Sequence, residues 1–76
     1  MELFYQANQM AERLFAKGGG AGLVTSRQYL ILQAVAASEG LRQVEIIAAT
    51  DIDRSTASDL VGRLVRTGML TRRRRK

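Results

Sequence analysis

Two groups of residues have types and spacings suited to chemistry with a polyanion. The first is Arg54, Ser55, Thr56, Ser58 and Arg63, short hydroxyls and guanidiniums within a single short stretch. The second is the closing run Arg72, Arg73, Arg74, Arg75 and Lys76. A helix that enters the major groove of DNA must present short polar side chains for close approach. It also needs arginines that reach guanine edges or phosphates. Adjacent cations supply charge for phosphates without sequence information. Each group also has a plainer reading. Ser55, Thr56 and Ser58 are good helix-start residues whatever they face. Arg63 and Arg66 on an outer helix face, like a terminal charge run, are often only solvated.

The charge balance separates the two groups. The chain has 76 residues with 12 Lys and Arg against 7 Asp and Glu, a formal +5. Residues 72–76 carry five of those charges, so residues 1–71 balance at 7 against 7. The basic character is therefore a patch at one end. With no His and no Cys, thiol chemistry, ordinary zinc sites and imidazole proton transfer are excluded. The carboxylates are scattered, with no pair placed for acid–base work. An enzyme is rejected, and no metal or cofactor is expected. The glycines of Gly18-Gly19-Gly20-Ala21-Gly22 could suggest a phosphate loop. There is no GxGxxG, no following Lys-Ser/Thr and no preceding strand to support one.

The elements that must hold these residues read as four helical stretches. In Glu2–Lys17 the apolar residues Leu3, Phe4, Ala7, Met10, Ala11, Leu14 and Phe15 fill an arc of about 140°. That predicts an amphipathic helix over 1–17, ended by a Gly-rich loop over 18–24. Thr25-Ser26-Arg27-Gln28 fits a capping box for a second helix, apolar nearly all round through Ser38 and so central. Gly40 fits its C′ position, and Leu41 could begin a very short extended segment. A third helix runs from Gln43 to Thr50. Asp53 is a natural N-cap and Gly68 a natural C′ residue for a fourth, Arg54 to Thr67. Its inward stripe is Ala57, Leu60, Val61, Leu64 and Val65. Two short helices joined by a tight turn make a helix-turn-helix. A chain this short buries little surface, and without disulfides or metal the remaining stabiliser is a second copy. Leu3, Phe4, Met10 and Leu14 are the candidate dimer interface.

The run from Gln43 to Leu70, above all Ile52-Asp53-Arg54-Ser55-Thr56 followed by Asp59-Leu60-Val61, Arg63-Leu64-Val65 and Gly68-Met69-Leu70, resembles the MarR-type winged helix-turn-helix regulators. So does Thr25 to Leu32. The resemblance spans roughly residues 25–74. It implies that Gln43–Thr50 is the first helix of the motif and Arg54–Thr67 the recognition helix. Ser55, Thr56, Ser58 and Arg63 would face DNA, with Arg54 near the backbone. Met69–Arg73 would be the first wing strand, and a dimer would set two recognition helices about 34 Å apart. The family's second wing strand, its Asp-x-Arg motif and its long C-terminal dimerisation helices are missing, so the first wing strand is expected to lack a partner. Ile47 replaces a small Ala, and Asp51 replaces the turn Gly, a left-handed position that Asp tolerates.

The sequence thus predicts a mainly α, all-α fold of four helices. It is a helix-turn-helix or partial winged helix, with at most a short strand segment at the C-terminus. A single domain is expected, with 25–71 as its core and 72–76 as a basic tail or wing start. The expected function is a bacterial, cytoplasmic, nucleoid-associated DNA-binding regulator. It would be a dimeric repressor of a pseudo-palindromic double-stranded DNA site, with no membrane association. Two alternatives stand beside it. One is an adaptor or antitoxin-like module with a protein partner, and the other is non-specific nucleic-acid binding by the basic tail.

Overall fold

The computed structural model describes residues 2–9, 13, 25–38 and 40–75. Its helices begin and end at local signals. In α1 (Ser26–Ala36) the Gln28 N–H donates to Thr25 Oγ1 at 3.2 Å, and the Thr25 N–H donates to Gln28 Oε1 at 2.8 Å. This is the reciprocal box that the sequence suggests. α2 (Gln43–Thr50) starts after Arg42, whose N–H donates to Glu45 Oε1 at 2.8 Å. It ends at Asp51, which takes the left-handed conformation expected of it, φ 57°. α3 (Arg54–Arg66) is capped by Asp53 and is followed by Gly68 at φ 85°.

The N-terminal segment departs from its helical reading. Residues Glu2–Ala7 form a strand, β1, that pairs antiparallel with β2 (Leu70–Arg75) from Glu2 opposite Arg75 to Ala7 opposite Leu70. Gln9 and Arg13 are helical, and the rest of the segment through residue 24, with Met10 and Leu14, lies outside the described residues. Among the described residues there are three helices and two strands, not four helices. The wing strand that was expected to be alone has its partner inside the chain.

The physical reason lies in backbone accounting. An isolated β2 would present a row of unpaired N–H and C=O groups. On the other side of β1, Leu41 offers the same groups: the Tyr5 N–H donates to the Leu41 carbonyl at 2.8 Å and the Leu41 N–H to the Tyr5 carbonyl at 3.0 Å. Glu2–Ala7 fills a gap one strand wide between them. A helix over the same residues would satisfy only itself. The strand's alternation then decides side-chain fates. Leu3, Tyr5 and Ala7 share one face, and Glu2, Phe4 and Gln6 the other. Leu3 and Phe4, neighbours on a helical stripe, end on opposite faces.

Tyr5 is β1's contribution to the core. It is buried with Ile31, Leu32 and Val35 of α1, Ile46 of α2, Ile52 of the turn, Ala57, Leu60, Val61 and Leu64 of α3, and Met69 and Leu70. α1 contacts α2, α3 and β1, as a helix rich in apolar residues should, yet its Leu30 stays exposed. Phe4 packs elsewhere, over Gly40. That glycine is too far from Ala36 to serve as the C′ residue, and its role is different. It has φ 148°, and a Cβ there would stand 2.7 Å from Phe4 Cδ2.

Gly40 and Gly68 therefore predict unequal costs. At Gly68, with φ 85° and no atom within 4 Å of a new Cβ, Gly68→Ala costs about 1 kcal/mol of backbone strain. Gly40→Ala adds displacement of Phe4 and should cost about 2–3 kcal/mol. Urea unfolding of both variants checks the ordering. Equal losses would mean that Phe4 does not rest on Gly40.

Candidate nucleic-acid interface

The turn between α2 and α3 aims the outer face of α3. Ile52 is buried and anchors the turn in the core, between the left-handed Asp51 and the capping Asp53. Asp53 Oδ2 accepts from the Thr56 N–H at 2.9 Å. Buried Ala57, Leu60, Val61 and Leu64 fix the rotation of the helix. With about 100° per residue, the opposite side is then centred on Ser55, Asp59, Gly62 and Arg66, flanked by Ser58, Arg54 and Arg63.

Each residue that the sequence singled out can be located. Arg54, Ser55, Ser58 and Arg63 are exposed. Thr56 is half-buried, its N–H taken by the cap. Arg54 borders a shallow groove lined also by Gln43, Val44 and Ile47, so the bulk of Ile47 packs partly on the core and partly forms this groove. Arg63 Nε sits 3.2 Å from Asp59 Oδ2, an exposed pair one helical turn apart. Such pairs add only about 0.3–0.5 kcal/mol. Arg66, the less favoured arginine in the sequence, lies nearer the centre of the open face. Its Nη1 is 3.5 Å from where a Cβ of Gly62 would be.

Of the basic run, Arg72–Arg75 lie in β2, which agrees with a wing start, and Lys76 lies outside the described residues. Arg72 Cζ lies 5.6 Å from the centroid of the Tyr5 ring. Arg73 Nε donates to Gln6 Oε1 at 2.8 Å. Arg74 is exposed opposite Leu3, and the backbone of Arg75 pairs with Glu2. Alternation sends neighbouring arginines to opposite faces, which spreads their repulsion. Contacts link α3 to β2, so both arginine-bearing elements belong to one body.

Sequence reasoning missed Glu2, Tyr5, Gln6 and Arg42. Arg42 Nε lies 3.1 Å from Glu2 Oε1 and 3.1 Å from Glu45 Oε1, joining β1 to the start of α2. One signal was available. Tyr5 falls outside the apolar arc of the helix drawn over its segment, and two adjacent aromatics at Phe4-Tyr5 favour a strand. Of the expected dimer contacts, Leu3 is exposed and Phe4 is half-buried on Gly40.

The Asp53 cap gives a pH dependence. Hydrogen bonding from Thr56, its hydroxyl first and its backbone N–H second, holds the Asp53 carboxyl below the ordinary Asp range. The folded value is depressed, so the cap's ionic contribution is complete above the unfolded value and fades as pH falls through the folded one. Asp53→Asn keeps an acceptor but does not titrate. Its melting temperature should trail the wild type at neutral pH, and the gap should close as pH drops below about 4. A gap constant down to pH 2 would contradict this origin.

With three helices, a left-handed turn before a capped α3, and a two-stranded antiparallel ribbon, the described residues have the arrangement of a winged helix-turn-helix. Among them no helix is long and apolar enough to cross a membrane. No curated protein and no solved structure matches the sequence significantly. The model of the MarR family matches residues 24–76, well over half the chain. The chain belongs to the MarR family of DNA-binding transcription regulators.

Proposed function

We propose that the protein is a dimeric, cytoplasmic repressor that reads a pseudo-palindromic duplex site and sits on the nucleoid. The observation that carries this reading is the open face of α3. It presents Ser55, Ser58 and Gly62, small enough for close approach, between the arginines Arg54, Arg63 and Arg66. Ser55, Ser58 and Arg63 contact base edges or adjacent phosphates, Thr56 and Arg54 hold the backbone near the helix start, and Arg72–Arg75 grip phosphates from the ribbon. Two copies related by a two-fold axis place two such helices on successive major-groove faces. Leu3, Phe4, Met10 and Leu14 remain the proposed dimer contacts. Support for a dimer comes from the small core and from Leu3, which is 41% exposed. Occupying a promoter site excludes polymerase.

One observation favours a second reading, docking of a protein: Val44 is 61% exposed beside Ile47 in the groove at Arg54. The two readings separate by experiment. Selection from a randomised duplex pool should enrich a two-fold symmetric site. Arg63→Ala and Ser55→Ala should each lower the ratio of specific to random-sequence binding, by about tenfold where a bidentate base contact is lost. Unchanged ratios in both variants would remove α3 as the reading element. A stoichiometric protein complex formed without nucleic acid would put the second reading first.

Gly62 sharpens the test because its effects on folding and binding should have opposite signs. A Cβ there meets only the tip of Arg66, at an ordinary 3.5 Å. Gly62→Ala should therefore stabilise the helix by about 0.5–1 kcal/mol. If DNA lies against this face, the same methyl group should weaken duplex binding. A variant both more stable and equally tight would show that the face does not pack on DNA.

A further inference from the structure

Four arginines of the described residues have side-chain partners of two different kinds. Arg42 and Arg63 are held by carboxylates, Glu2 and Glu45 for the one and Asp59 for the other. Each has a counter-charge beside it in an exposed pair. Arg72 and Arg73 are held by neutral groups, the Tyr5 ring and the Gln6 amide oxygen. Among the described residues neither has a carboxylate within 4 Å. A neutral partner orders a guanidinium without consuming its charge. In Arg73 the Nε–H is used by Gln6, and the two terminal nitrogens keep the fork that matches two phosphate oxygens.

We propose that the N-terminal strand is a working half of the nucleic-acid surface, in which Gln6 and Tyr5 are positioning residues that hold Arg73 and Arg72 for the phosphates of duplex DNA. This rests on the nucleic-acid reading above and extends it to residues before the segment that the family model matches. The plainer reading is that these contacts merely fasten β1. Magnitudes oppose it. β1 is already fastened by the backbone ladder to β2, by two hydrogen bonds to Leu41 and by the buried Tyr5 ring. An exposed side-chain hydrogen bond adds little to such a ladder. The same bond matters for binding, because a free arginine loses much rotamer freedom when it docks and a pre-set one loses less. Gln6 and Arg73 lie on one face of the ribbon, and Tyr5 and Arg72 on the other. The Tyr5 ring itself is buried in the core, and the Arg72 and Arg73 side chains are both exposed.

The test uses the full chain and a fluorescent duplex, with affinity read by anisotropy across a salt series and thermal unfolding read in parallel. Gln6→Met keeps the side chain's length and removes the acceptor. It should weaken duplex binding about threefold to tenfold with an unchanged melting temperature. In an Arg73→Ala background the same change should have no effect, because the positioned group is gone. Gln6→Glu should weaken binding further and lower the salt slope by about one charge, since it neutralises Arg73. Tyr5→Phe, which keeps the ring, should bind as the wild type does. Wild-type affinity in Gln6→Met, or an equal loss with and without Arg73, would overturn the positioning role while leaving duplex binding intact. Failure of the wild-type chain to bind any duplex would overturn this role and the proposed function together.

Discussion

The backbone pairing of Tyr5 with Leu41 on one side, and of β1 with β2 on the other, is the constraint on which the rest depends. It satisfies polar groups on three separate stretches of chain at once. It also carries the Tyr5 ring into a core otherwise built from residues 31–70. Take β1 away and β2 becomes a bare edge bearing several adjacent cations, Gly40 loses the ring that lies over it, and Arg42 loses one of its two carboxylates. Local propensity does not choose this outcome. Glu2–Ala7 has a fair helical pattern, and the strand wins because a gap with donors and acceptors on both sides lies within its reach.

The second constraint is electrostatic. A body whose charges balance can fold without self-repulsion, and it does so partly by pairing Arg42 and Arg63 locally. The surplus is concentrated in β2, where strand alternation divides it between two faces and neutral side chains from β1 hold two of the guanidiniums. The fold thus separates charges that stabilise it from charges presented outward. The helix-turn-helix needs no such surplus. Its geometry comes from buried Ile52, the left-handed Asp51 and the Asp53 cap, all within three consecutive residues.

What was legible in the sequence follows the range of the interactions. The Thr25–Gln28 box, the Asp53 cap and Gly68 after α3 are decided within four residues and could be read directly, while the left-handed position of Asp51 came from the family resemblance. The inward stripe of α3 was equally plain, because periodicity is a local property. The first segment was misread because its partner lies 67 residues away for the Gln6–Arg73 pair. The adjacent aromatics Phe4-Tyr5 were the one local hint of a strand whose main reason is a distant edge. Gly40 was misassigned for the same cause, since its meaning depends on Phe4. The exposure of Arg54, Ser55, Ser58, Arg63 and Arg66 on α3 followed from its periodicity, while the contacts of Arg72 and Arg73 with Tyr5 and Gln6 did not, because they cross between distant strands.

The family match and the fold therefore draw different boundaries. Residues 24–76 carry the match, yet among the described residues of that span β2 has no strand to pair with. The pairing comes from Glu2–Ala7, across a connection of some length. Loop closure grows only slowly more costly with length, so a distant strand is an affordable substitute for an adjacent one. The consequence is that the ribbon assembles through the most sequence-distant contacts of the chain, whereas the helix-turn-helix assembles through near ones. The ribbon and the helix-turn-helix thus depend on contacts of different range. The ribbon is secured by its ladder and by the buried Tyr5 and Leu70, whereas α3 is secured by a packed helical stripe. Arg72 and Arg73 keep their neutral partners only while β1 is in place, which ties their arrangement to a strand outside the segment that the family model matches.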